Sequence, residues 1–107
     1  MAATVFEAVA DPTRRRLLEL LAEGEQSAGD LAASFSVSRP AISRHLRILR
    51  EAGLVRWRGD AQRRIYALEP EPLGELDEWL DQYRRFWTDA LDRLGRHLDV
   101  TSERKNP

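Results

Sequence analysis

Residues 38–68 read SRPAISRHLRILREAGLVRWRGDAQRRIYAL, from Ser38 to Leu68. Ser38 is a good N-cap, and Gly53 is a natural helix stop, so residues 39–52 form one helix. Within it Ile42, Leu46 and Leu49 recur at i, i+4 and i+7, with Ile48 and Ala52 beside them. That spacing makes one apolar stripe for a core. Arg39, Pro40, Ser43, Arg44 and Arg47 fall on the opposite side, a face with three arginines, one hydroxyl and no acid. After Gly53, Leu54–Arg58 and Arg64–Leu68 are β-prone, and Val55 and Trp57 alternate with arginines as in a strand with one buried side. Residues 59–63 are read as the turn between them, which puts Arg63 and Arg64 at the tip of a hairpin. A helix that can enter a major groove, followed by a basic hairpin that can lie along the phosphates or in a narrow minor groove, reads as a DNA-binding unit.

The residues upstream serve as a scaffold for that helix. A first helix is expected over residues 2–10, with Val5, Phe6 and Val9 on its apolar side. Asp11 caps a second helix, Pro12 fits its first turn, and Leu17, Leu18, Leu20 and Leu21 turn inward as far as Ala22. Arg14, Arg15 and Arg16 stand at the helix end where cations are disfavoured. They are either a solvated face with one local salt bridge or a contact for phosphate or an acidic partner. Ser27 and Asp30 resemble a capping box that starts a third helix over residues 28–35, which buries Leu31, Ala32 and Phe35. The turn Ser36-Val37-Ser38 follows, with Val37 expected to plug the core. Two short helices joined by so brief a turn make a helix-turn-helix.

Downstream, Glu69-Pro70-Glu71-Pro72 ends the hairpin. From Leu73 to Leu98 apolar residues recur at spacings of mostly three, four and one, so this is one helix spanning roughly 39 Å. Its stripe carries Trp79, Tyr83, Phe86, Trp87, Leu91 and Leu94, more apolar surface than a small domain covers. A second copy of the chain is the expected cover, with Val5, Phe6 and Val9 of the first helix joining the seam. A cluster of Trp57, Trp79, Tyr83 and Phe86 is read as filling core and seam rather than as an effector cavity. The organisation is therefore a single winged helix-turn-helix domain over residues 1–100, with the helix-turn-helix at 28–52, the β-wing at 54–68 and a dimerisation helix at 72–99. Residues 101–107 read as a disordered tail. The fold class is mainly α with a small β-hairpin, built from five helices.

The 107 residues carry a net charge of only −1, but the charge is divided. Residues 39–64 hold eight arginines and two acids, whereas residues 65–100 hold nine acids and four arginines. A basic middle beside an acidic tail presents one face to polyanions. No cysteine is present, which removes disulfides, thiolate metal sites and cysteine catalysis. The sequence holds no glycine-rich phosphate loop, and His45 and His97 fall on different helices, so no enzyme constellation and no cofactor site is expected. No apolar run reaches membrane-spanning length. A cytoplasmic, nucleoid-associated protein is the expectation.

The stretch Ala10-Asp11-Pro12-Thr13-Arg14-Arg15-Arg16-Leu17-Leu18 resembles the second-helix signature of the ArsR/SmtB-type winged-helix repressors. Val37 to Leu46, followed by Leu49 to Val55, is similar to that family's recognition helix and its exit. The resemblance covers about residues 3 to 100. It implies a prokaryotic homodimeric repressor of transcription that binds double-stranded DNA at an imperfect palindrome and releases it on a signal, with the inducing effector, small molecule or protein, left open. Carried over by position, DNA contacts fall on Arg39, Pro40, Ser43 and Arg44, the same positions the helix face selects. Ser38, Arg47, Arg63 and Arg64 complete the expected interface. One departure is specific: family members that sense metal through the third helix have paired cysteines before an Asp-Leu, and here Ser27-Ala28-Gly29 precede Asp30-Leu31. A second family site uses His and carboxylate ligands on the last helix, where this chain offers Asp89, Asp92, His97 and Asp99. Borderline metals favour imidazole, and one histidine is a poor set, so no metal site is expected. His97 reads as a surface residue near a helix end, and His45 as a packing or hydrogen-bonding residue. A metal-responsive repressor using the last helix and a winged-helix protein-interaction module are the alternatives.

Overall fold

Local capping sets where the helices begin. In the computed structural model, which describes residues 3–105 and their side chains as far as Arg96, five helices and three strands follow in chain order. Helix α1 is Val5–Ala8 and α2 is Pro12–Ala22. Strand β1 is Gln26–Ser27, α3 is Ala28–Ala33 and α4 is Arg39–Glu51. Strands β2 (Val55–Asp60) and β3 (Arg63–Leu68) form the hairpin, and a 3₁₀ turn at Glu71–Leu73 leads into α5, Gly74–Lys105. Asp11 accepts the Arg14 amide at 3.0 Å, Ser27 that of Asp30 at 3.1 Å and Ser38 that of Ala41 at 3.3 Å. Each cap satisfies an orphan amide of a first turn.

The exit of α4 is a Schellman motif. The Gly53 amide donates to Arg50 O and the Leu54 amide to Leu49 O, both at 2.9 Å, and Gly53 sits at φ +78°. The hydrophobic contact that accompanies this motif falls to Leu49 and Leu54, both fully buried. The motif sets the direction in which the chain leaves the helix for the wing. Gly53→Ala is expected to lower stability by about 1–2 kcal/mol, because an L residue disfavours that φ. Urea unfolding should show a lower midpoint with an unchanged slope.

The chain divides into two compact units, residues 1–76 and residues 77–107. In the first, Leu17, Leu21, Leu31, Ile42, Leu46, Leu49, Leu54 and Val55 form the core, with Leu73 and Leu76 packed against it. The second unit is helix from Asp77 on. The helix runs on to Lys105, through the first residues of the expected tail. Residues 106–107 of the expected tail lie outside the described residues.

Four local expectations are corrected. Helix α1 has four residues where nine were expected, because Asp11-Pro12 begins a new cap and Val9 already closes the turn. Helix α3 stops at Ala33, with Ser34 as its C-cap. Val37 is exposed, because the turn into α4 is short enough for the capping serine to leave it outside. The hairpin loop is two residues, Ala61 and Gln62, where five were expected, and Ala61 takes φ +58°. Strands β1, β2 and β3 form one antiparallel sheet in the order β1-β3-β2, with Ser27 opposite Ile65 and Trp57 opposite Tyr66. The sheet thus ties the wing to the start of α3.

Candidate nucleic-acid interface

Helix α4 buries Ile42, Leu46 and Leu49 and exposes Ser38, Arg39, Pro40, Ser43, Arg44 and Arg47. The two faces are those that the periodicity separates. Between this helix and the sheet lies a groove of about 520 Å³, lined by Ala28, Pro40, Ser43, Arg44, Arg47, Arg50, Arg64 and Tyr66. Four arginines line it and no carboxylate does. A second concavity of about 390 Å³ joins Ser27, Ala28, Gly29, Asp30, Arg39, Gln62, Arg63 and Arg64. The structure therefore brings the expected helix and wing arginines onto two adjoining hollows. Arg50 was not among the expected residues, although 43, 47 and 50 follow the same i, i+4, i+7 spacing. Ala28 and Tyr66 also join the groove, through the strand pairing that no residue pattern announces.

Pairing divides the arginines into two groups. Arg56 pairs with Glu69, and Arg58 with Glu25 at 3.1 Å. These two hold the wing to neighbouring chain. Arg39, Arg44, Arg47, Arg50 and Arg63 have no carboxylate partner among the described residues. Arg64 instead stacks over the Trp57 ring, 4.4 Å from its centroid. Trp57 is accordingly a wing residue, 37% exposed, and not part of the core.

The basic first turn of α2 is structural. Arg14 donates through Nε to Ala8 O at 2.7 Å and through a terminal nitrogen to Glu7 O at 3.0 Å. Its other terminal nitrogen donates to His45 Nδ1 at 3.1 Å. A guanidinium can only donate, so Nδ1 accepts and the ring proton sits on Nε2. His45, expected as a hydrogen-bonding residue, thus links α4 to the carbonyls at the end of α1. Arg15 donates to Val9 O at 2.8 Å, and Arg16 pairs with Glu19 at 3.1 Å. Partial burial pushes the Asp11 carboxyl up, but the hydrogen bond from the Arg14 amide and the nearby Arg14 charge hold it below the usual range. A depressed carboxyl contributes stability above its ordinary pKa and loses it as pH falls through the depressed value.

On the expected seam, Val5 is only 4% exposed and Val9 is half-buried against the same core. Val5 is thus a core residue of the chain itself, because α1 turns it inward beside Ala8. Phe6 remains 40% exposed. Within the second unit Trp79, Tyr83, Phe86, Trp87, Leu91 and Leu94 are all exposed, with Phe86 at 56% and Leu91 at 65%. Trp79 and Tyr83 meet edge to face at 5.2 Å. Arg84 pairs with Asp77 and with Asp81 along the same helix. No group of three or more His, Cys, Asp or Glu side chains suited to a metal occurs among the described residues. The side chains of His97 and Asp99 lie outside them. No described helix is long and apolar enough to cross a membrane.

The chain is similar to known proteins over most of its length. Residues 11–56 match the family model described as bacterial regulatory protein, arsR family. The chain is 45% identical over 94 residues to the HTH-type transcriptional regulator Rv2034 of Mycobacterium tuberculosis, covering 88% of this chain and 85% of that one. It is 41% identical over 76 residues to the transcriptional repressor SdpR of Bacillus subtilis, covering 71% and 84%. The crystal structure of an ArsR family transcriptional regulator superposes with a TM-score of 0.70 at 32% identity, over 78% of this chain and 91% of that one.

Proposed function

The chain belongs to the ArsR family of bacterial regulatory proteins, and on that premise we propose that it works as a homodimer that holds an imperfect two-fold operator and releases it on a signal. It is a DNA-binding transcriptional repressor by family. The observation that carries the reading is the groove between α4 and the wing, four arginines wide and free of carboxylates. Helix α4 enters the major groove by its N-terminal half, with Arg39, Pro40, Ser43 and Arg44 at the base edges. Arg47, Arg50, Arg63 and Arg64 meet the flanking phosphates, which fix register but carry no sequence information. The apolar stripe of α5 and Phe6 supply the seam between copies. Val5 belongs instead to the core of the first unit, with Val9 packed against it. The protein acts in the cytoplasm at the nucleoid, and its signal is not read through thiolates, since the sequence has no cysteine.

Selection of binding sites from random duplexes, with stoichiometry read at moderate salt, tests this. An enriched imperfect palindrome bound by two chains is the expected result. Salt-sensitive binding with no enriched sequence would overturn the operator reading and assign the arginine face to a protein partner.

A further inference from the structure

On one face of the hairpin the cross-strand rows are Val55 with Leu68, Trp57 with Tyr66, and Gly59 with Arg64. The position directly across from Arg64 has no side chain, and a Cβ built at Gly59 meets nothing within 4 Å. Arg64 therefore has no cross-strand neighbour of its own and reaches the diagonal one, Trp57. Its guanidinium lies 4.4 Å from the indole centroid. The same arginine lines both hollows, the one against α4 and the one beside Arg39. Arg56 and Arg58, on the same wing, are held by carboxylates, whereas Arg64 is held by a ring. A ring fixes the direction of a guanidinium and leaves its charge and its hydrogen-bond donors unneutralised.

We propose that Trp57 is a positioning residue for nucleic acid: its indole stacks Arg64 and presents that guanidinium, already ordered, to a phosphate at the junction of helix and wing. An unsupported arginine would lose rotamer freedom on docking, and the stack removes that cost beforehand. Trp57 is 37% exposed and is neither in the core nor among the residues packed against it. The inference rests on the DNA-binding reading above and adds a residue that neither the recognition-helix face nor the wing's charges single out.

The test is a double-mutant cycle on the full chain, with random-sequence duplex DNA as the probe and affinity measured over a range of salt. Arg64→Ala is expected to weaken binding and to flatten the salt dependence by one phosphate contact. Trp57→Leu is expected to weaken binding about two- to fivefold for each wing engaged, the size of an exposed cation–π contact. Trp57→Phe keeps a ring and should retain most of the affinity. In the Arg64→Ala background, Trp57→Leu should cost nothing further. Equal losses with and without Arg64, or unchanged or tighter binding by Trp57→Leu, would overturn the inference while Arg64→Ala still weakened binding. If Arg47→Ala, Arg63→Ala and Arg64→Ala all bound this duplex as the parent does, the DNA-binding reading of the arginine face would fall, and this inference with it. Circular dichroism checks that each variant is folded, and Trp57→Phe decides the matter should Trp57→Leu not fold: it must retain more affinity than Arg64→Ala, and loss equal to Arg64→Ala would overturn the proposal.

Discussion

Arg44→Ala is expected to lose about 1–3 kcal/mol of specific binding at each half-site, roughly a fivefold to hundredfold weakening, while leaving the fold intact. The side chain is exposed on α4, lines the helix–wing groove and has no carboxylate partner among the described residues. It therefore has no internal contact to give up and is free to form a bidentate pair with a guanine edge. Arg63→Ala is the contrast. Placed at the hairpin tip beside Arg64, it should weaken every sequence alike and reduce the salt slope by about one unit. Titration of an enriched duplex and a scrambled one separates the two effects. Equal losses on both duplexes for Arg44→Ala would remove it from base reading and leave it a phosphate contact.

The same contrast shows what the sequence could and could not disclose. The faces of α4 were legible because burial follows a 3.6-residue period, and Ile42, Leu46 and Leu49 keep that period without interruption. The caps at Asp11, Ser27 and Ser38 were legible because a cap is a contact three residues long. Strand β1 was not, since two residues carry no alternation and its partner lies 38 to 40 positions away in β3. The tight loop was missed because Ala61 takes a positive φ that glycine or asparagine usually signals. Pairing among the arginines was the largest omission. The wing holds Arg56, Arg58, Arg63 and Arg64, chemically equal on paper. Only the fold brings Glu25 to Arg58 and Glu69 to Arg56, leaving the other two for a polyanion. In the same way Arg14 reads as a surface cation until α1 places two carbonyls and α4 places His45 around it.

Phe86→Glu is expected to have the other large effect, conversion of the proposed dimer to monomer. On α5, residues 79, 83, 86, 87, 90 and 94 fall within one side of a 3.6-residue wheel, Leu91 stands at its edge next to Arg84, and Asp81 lies opposite. Phe86 is 56% exposed at the middle of that stripe. Burying a phenylalanine contributes about 1.5–3 kcal/mol. A two-fold seam uses each residue twice, and about half of each Phe86 is left to cover, so one substitution removes about 2–3 kcal/mol and weakens dimerisation roughly thirty- to a hundredfold, before the cost of desolvating two carboxylates. Sedimentation should then report a monomer at concentrations where the parent chain is dimeric. Operator affinity should fall with it, because two linked recognition helices bind by effective concentration and a single one does not. Non-specific binding at low salt should change little, since the arginine groove lies wholly within residues 1–76. Asp81→Ala, on the polar side of the same helix, should leave the dimer as it was. A parent chain that sediments as a monomer both free and on its selected duplex would overturn the seam, and with it the two-fold operator. The stripe on α5 would then need a partner other than a second copy.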